Sequence, residues 1–307
     1  MSVVLNQLTI AYGNHKAVDG LTATFTKGVT GLLGPNGAGK SSLIKGLLGL
    51  VPIHSGSAFI LDQSVIASQK TIRQMVGYMP EDDCLIPGLT GIQMVQYAGQ
   101  LSGMGGKDAM QRAHDVLFAV GLGEARYRQV DHFSSGMKQR IKLAQAIVHD
   151  PELLFLDEPT SGMDPKGRQE MLDLIREIAT NGKMSVVLAT HILIDVERTC
   201  ERVVMLDKGR LMESGQVSEL RKDYTNAYTI RVEGDFDLYR SFLENKGCRF
   251  QEAGKHHWDV HLPSGASSHL LFEAAKEKQV QLRKLIPSIQ TLEDVFVKRV
   301  GENRAHL

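Results

Sequence analysis

The chain has 307 residues, 42% hydrophobic and 23% charged, enough to bury a substantial core in one large domain or two of ordinary size. Lys plus Arg equal Asp plus Glu at 35 each, a balance that argues against binding driven by nucleic-acid phosphates or an anionic membrane surface. No apolar run reaches the ~20 residues of a membrane span, and the widely spaced Cys84, Cys200 and Cys248 read as reduced thiols rather than a disulfide framework.

The opening stretch MSVVLNQLTIAYG alternates as a strand does and lacks the basic start and long apolar run of a signal peptide. LTATFT reads as its partner strand. Tyr12 lies at the end of the first strand, where an exposed aromatic is a candidate to stack on adenine; the plainer reading is an ordinary strand tyrosine.

GVTGLLG is a short apolar strand that runs into a glycine loop and then the helix KSSLIKGLLGL. The loop, Gly34, Pro35, Asn36, Gly37, Ala38, Gly39, Lys40, Ser41 and Ser42, fits G-x-x-x-x-G-K-[ST] in the strand–loop–helix context that motif requires. Successive backbone N–H groups then converge on phosphate oxygens at a helix N-terminus. Lys40 is expected to neutralise β- and γ-phosphates, and the Ser41 hydroxyl to ligate Mg2+.

Residues 87–150 are almost wholly helical in pattern and read as an insert between two strands. Within it, FSSGMKQR, Phe133 to Arg140, is a second Ser-Gly element opening a helix. ELLFLDE and SVVLAT are apolar runs of the buried-strand type. Asp157 ends the first, where open α/β sheets bind ligands, and is the expected metal-side acid. Glu158 is the candidate base for the attacking water; the bland alternative is a solvated turn. His191 follows SVVLAT and is placed to reach the γ-phosphate. RVVMLDKGRLMESG reads as a closing hairpin turning at Asp207–Gly209.

After the polar stretch ELRKDYTN the pattern changes to strand, helix, two strands, helix, strand, the order of a ferredoxin-like unit. His256, His257 and His261 fall in its central hairpin without acidic or cysteine companions, so a metal site is not expected there. A last helix over residues 291–300 has Thr291 and Asp294 in capping-box spacing.

Taken in order, the glycine loop, FSSGMKQR, LDEPTSGMD and His191 resemble an ATP-binding cassette (ABC) ATPase over roughly residues 1–220. The fold implied is α/β, a P-loop cassette of mainly parallel sheet with an N-terminal antiparallel sheet and a helical insert. The α+β ferredoxin-like unit over 226–307 follows it. FSSGMKQR stands where the family carries its signature, usually LSGGQ. The resemblance implies two cassettes packed head to tail, with Ser134, Ser135 and Gly136 of one reaching the γ-phosphate held by the other, and Asp164 in the adjoining D-loop. One chain then holds half a site, and ATP with Mg2+ joins two.

Two departures stand out. Ser135 replaces the first signature glycine and Met137 its glutamine. Glu81, in VGYMPEDD, replaces a glutamine that ligates Mg2+ and senses the water. A carboxylate can serve as that ligand, but it adds negative charge beside the phosphates. The family further implies a separate integral membrane permease docking near DDCLIPGLTGIQMVQYAGQL, and a peripheral place on the cytoplasmic face. The tail LEDVFVKRVGE is similar to ATPase subunits of bacterial exporters of drugs or antibiotics. A soluble cassette acting on ribosomes or DNA is the competing class. It usually has two cassettes in one chain or long coiled coils, and neither pattern is seen. A P-loop kinase or GTPase would leave FSSGMKQR and His191 without a purpose.

Overall fold

The computed structural model describes residues 1–181, 184–220, 227–254, 257–263 and 265–287. The predicted helix over 291–300 and His256 lie outside them. The chain divides into two compact units, Met1–Val217 and one beginning at Ser218.

In the first unit, β1 (Val3–Tyr12), β2 (His15–Phe25), β4 (Ile53–Ile60) and β5 (Gln63–Ser64) form an antiparallel sheet in the order β2-β1-β4-β5. Here β2 starts earlier than LTATFT suggests. Gly20 sits at φ 62° beside a register shift between Leu8 and Ile10, which hides the strand's first half from a simple alternation pattern. Strand β4 is also weakly marked, because the apolar residues of IHSGSAFI are interrupted by HSGS.

The second sheet runs β10-β9-β3-β8-β7-β6, comprising β3 (Val29–Leu33), β6 (Val76–Met79), β7 (Leu153–Asp157), β8 (Ser185–Thr190), β9 (Arg202–Asp207) and β10 (Arg210–Gln216). All neighbours are parallel except β9 and β10. Every residue of β3, β7 and β8 is buried, as strands covered on both faces must be. Helices α1 (Lys40–Leu47), α2 (Gln69–Met75), α6 (Pro165–Asn181) and α7 (Leu193–Thr199) supply the connections, and α8 (Val217–Leu220) begins at the unit's last residue. The insert consists of α3 (Gly91–Leu101), α4 (Gly106–Ala119) and α5 (Ser135–Ile147). Thr90 and Gln93 form a capping box at the start of α3. The buried side chains of Leu5, Leu8, Ile10, Phe25, Leu32, Ile44 and Phe155 join both sheets into one core. Burial stabilises by about 1.5–3 kcal/mol per large aliphatic side chain.

The second unit is the predicted β-α-β-β-α-β order: β11 (Ala227–Glu233), α9 (Phe236–Asn245), β12 (Arg249–Gly254), β13 (His257–His261), α10 (His269–Glu277) and β14 (Gln281–Pro287). The pairing, which sequence order leaves open, is β12-β13-β11-β14, antiparallel throughout. Its separate core is built on Ile230, Tyr239, Leu243, Val260 and Leu271, with Phe236 stacked on Trp258 at 3.6 Å between ring centroids. The buried Tyr239 hydroxyl donates to the Leu271 carbonyl at 3.1 Å and ties α9 to α10. Tyr239→Phe should therefore destabilise this unit by about 1 kcal/mol in urea unfolding. An unchanged midpoint would mean the bond contributes nothing net.

Candidate functional site

Four adjacent parallel strands, in the order β3-β8-β7-β6, end along one edge of the sheet, and each releases one element of the site. Strand β3 feeds the glycine loop, β8 leads to His191, β7 ends in Asp157 and Glu158, and β6 leads to Glu81. The carboxyl edge of an open α/β sheet is where its ligands bind, because the connecting loops diverge there and helix N-termini point inward.

The glycine loop is pressed against its surroundings. Gly34 passes so close to the Leu206 carbonyl that an added Cβ would lie 2.4 Å from that oxygen. Gly39 has φ 101°, and a Cβ there would lie 2.3 Å from the Ala17 carbonyl. Both approaches exclude any side chain. The Gly209 N–H donates to the Ala38 carbonyl at 3.0 Å, so the turn between β9 and β10 supports the loop from behind.

The loop bounds a cavity of about 280 Å³ lined by Tyr12, His15, Ala17, Asn36, Gly37, Ala38, Gly39, Lys40, Ser41, Ser42, Glu81 and Glu158. Tyr12 is 46% exposed and stands at the rim, open to stacking. Gly34 and Pro35 belong to the loop but do not line the cavity. His15 and Ala17 are lining residues that the sequence did not single out. Their place follows from the long β1–β2 pairing, in which Tyr12 is opposite His15.

Lys40 is buried, and its ammonium donates to the Gly34 carbonyl at 2.8 Å and the Pro35 carbonyl at 3.3 Å. It also lies 3.5 Å from a Glu158 carboxylate oxygen. Glu158 is 4% exposed and held in left-handed backbone at φ 48°, a conformation that costs a non-glycine residue on the order of 1 kcal/mol. Its carboxylate accepts from the Thr190 hydroxyl at 3.2 Å, the His191 N–H at 3.0 Å and His191 Nδ1 at 2.9 Å. A bond from Nδ1 to a carboxylate puts the proton on Nδ1. His191 therefore joins the site through Glu158 and does not line the cavity.

Asp157 is 1% exposed. Burial raises its carboxyl above the usual range, opposed by a hydrogen bond from Ser41, while Glu81 and Glu158 add to the rise. One carboxylate oxygen, Oδ1, has no hydrogen-bond partner among the described residues although it is buried. A buried acid with an orphaned oxygen beside a serine hydroxyl fits a hard divalent cation. No cluster of three His, Cys, Asp or Glu among the described residues holds a metal alone. An ion completed by phosphate oxygens and water needs none. His257 and His261 lie at the two ends of β13, and each has a partner elsewhere.

Ser134 caps α5, accepting from the Met137 N–H at 3.4 Å. Ser134 and Ser135 are exposed, and with Gly136 they are absent from the cavity lining. Asp164, also exposed, precedes α6 and is likewise outside the cavity. Gln139 of α5 donates to the Ser161 carbonyl at 3.0 Å, joining α5 to the loop that leads into α6. The loop is held further by the buried Asp195, which accepts from Thr160 at 2.8 Å and from Arg168 Nε at 2.7 Å.

Lys142, on the same helix, is 1% exposed and donates to the Glu81 carbonyl at 2.7 Å. Burial pulls its ammonium below the ordinary lysine range, while Cys84, Asp83, Asp82 and Glu81 oppose that pull.

No helix among the described residues is long and apolar enough to cross a membrane. Residues 18–161 match the family model described as ABC transporter, and residues 215–300 match that for the C-terminal domain of DrrA1-3-like ATP-binding proteins. The bacitracin transport ATP-binding protein BcrA of Bacillus licheniformis is 32% identical over 98% of this chain and 98% of its own. An uncharacterized ABC transporter ATP-binding protein, YxlF of Bacillus subtilis, is 32% identical over 96% of this chain and 98% of its own. A solved ATP-binding subunit of an ABC transporter is 28% identical with a TM-score of 0.65, covering 73% of this chain and 93% of that one. With relatives aligned along nearly its whole length and the nucleotide-loop geometry in place, the chain belongs to the ATP-binding proteins of ABC transporters.

Proposed function

We propose that the chain binds and hydrolyses ATP as the energy-converting subunit of a bacterial exporter for drug- or antibiotic-like compounds, on a separate membrane permease. The observation that carries this reading is the convergence of Lys40, Ser41, His191, Asp157, Glu158 and Glu81 at the ends of four neighbouring strands. A relative named for bacitracin transport, aligned over 98% of both chains, and the match of residues 215–300 to the DrrA1-3-like C-terminal domain support export of such compounds.

In this reading the adenine stacks on Tyr12 and the phosphates lie on the N–H groups of residues 34–42. Lys40 turns from the Gly34 and Pro35 carbonyls to the β- and γ-phosphates. Glu158 takes a proton from the attacking water, while His191, oriented by its bond to Glu158, contacts the γ-phosphate. Ser41 and Asp157, with Glu81, would hold Mg2+, which when bound offsets the charge developing on the phosphates. Ser134 and Ser135 are exposed, and with Gly136 they are absent from their own cavity. That arrangement suits a second copy, whose γ-phosphate they would cover with the N-terminus of α5. Loss of the γ-phosphate removes that contact and opens the pair, which gives the permease a two-state input. The subunit then sits at the cytoplasmic face of the membrane without entering it.

A gentle-detergent pull-down of the tagged full chain is the test. The expected result is one integral membrane protein recovered together with ATPase activity. Recovery of ribosomes or DNA instead would sink the transport reading.

Glu81→Gln probes the metal side. It should shift the Mg2+ concentration for half-maximal turnover by about tenfold. If Mg2+ dependence and rate both stay put, Glu81 is not a metal-side residue.

A further inference from the structure

Glu81, Asp82 and Asp83 are three consecutive acids just past the edge of β6. Such a run beside a polyphosphate site works against its ligand unless positive charge offsets it. The signature helix α5 brings that charge. Lys138 pairs with Asp83 at 3.0 Å. One turn on, Lys142 reaches the Glu81 backbone. The two contacts differ in kind. Lys138–Asp83 is a surface ion pair of the sort that contributes little. Lys142 is buried and touches a carbonyl, so its charge acts in a medium that screens poorly. Lysine is rarely buried to this extent without a carboxylate partner. Glu81 itself lines the cavity beside Lys40, Ser41 and Glu158. Glu81 stands where the family resemblance implies a glutamine, and the Lys142 ammonium holds its backbone carbonyl at 2.7 Å.

We propose that Lys142 is a positioning residue of the nucleotide site, a buried cation that fixes the Glu81 backbone and offsets the charge of the Glu81 side chain. The inference rests on the nucleotide site proposed above. It also gives the Glu81 substitution a physical reason. The acid and the lysine come as a pair, so the summed charge near the phosphates stays close to that of a neutral residue at 81. A lysine that merely held the carbonyl would act equally whatever side chain occupied position 81. An offsetting cation matters only while that side chain is an acid, and a double-mutant cycle separates the two roles.

The full-length protein is titrated with a fluorescent ATP analogue in EDTA, so that neither divalent ion nor turnover enters the readout, with thermal melting in parallel. Lys142→Gln keeps a donor for the carbonyl and loses the charge; Lys142→Met loses both. With Glu81 present, Lys142→Gln should weaken analogue binding about tenfold, and Lys142→Met at least as much. In the Glu81→Gln background the same changes should alter binding by less than about twofold. Equal losses in both backgrounds, or no loss in either, overturn the proposal. If Lys142→Met does not fold, Lys142→Gln carries the cycle. If neither folds, failure of Glu81→Gln to restore them also overturns it. Wild-type protein that does not bind the analogue overturns the site reading and this inference together.

Discussion

Glu158→Gln should leave ATP binding within a few-fold of wild type and lower turnover by about 10²- to 10⁴-fold. The size of the side chain is unchanged, and one oxygen remains to accept from the His191 N–H, which lies 3.0 Å from the carboxylate. What disappears is the capacity to take up a proton. His191 Nδ1 at 2.9 Å and the Lys40 ammonium at 3.5 Å meet that same oxygen, so the new NH2 takes the place of the other one, against the Thr190 hydroxyl, a donor at 3.2 Å. The Thr190 hydroxyl relieves part of that conflict by turning to accept. A stability loss of about 1 kcal/mol is therefore the expected side effect, well short of unfolding. Phosphate release read beside equilibrium nucleotide binding separates the two functions. Light scattering with ATP present adds a second readout. A chain that holds half of each site should accumulate as a dimer once hydrolysis is blocked. A variant that binds ATP, fails to turn it over and still scatters only as monomer would count heavily against shared sites.

The parts of this site legible in the sequence are those whose geometry is local. Gly34, Gly39 and Lys40 could be placed because a strand, a tight loop and a helix follow one another without help from the rest of the chain. Asp157 and His191 could be placed because each follows an unbroken apolar run, and such a run in a covered parallel sheet ends at the ligand edge. Ala17 was not legible. It lines the cavity, and its carbonyl packs against Gly39, a contact that depends on how the antiparallel sheet is laid on the P-loop. The same limit hid β5 and α2, which are short and carry few buried side chains, only Ile72 in α2. In the second unit the order of elements was legible, but the pairing β12-β13-β11-β14 is set by long-range register. Lys142 is the sharpest case. On an amphipathic reading it is one more charge on the solvent face of α5, yet it is 1% exposed because the Glu81 loop folds over it.

Lys40→Met should reduce ATP affinity on the order of 10²-fold, since hydrogen bonds to charged groups contribute about 1.5–3 kcal/mol. Its effect on the protein without nucleotide is the less obvious half. Lys40 is the cation next to a carboxylate that is 4% exposed, and methionine keeps most of the volume without the charge. Glu158 is then left with neutral donors, Thr190 and the His191 N–H, and with an imidazole that need not be charged. The chain should lose about 1–3 kcal/mol of stability, measured by urea unfolding. The Gly34 and Pro35 carbonyls lose a donor as well, but the Pro35 carbonyl keeps the Ala38 N–H at 3.1 Å, so the loop should hold its shape. Adding Glu158→Gln to Lys40→Met removes the stranded charge and should restore most of the lost stability while leaving affinity low. Stability recovered without affinity assigns Lys40 two separate tasks, one toward the phosphates and one toward Glu158. If ATP binding survives in Lys40→Met, the phosphates are held by the backbone amides alone and the assignment of Lys40 fails.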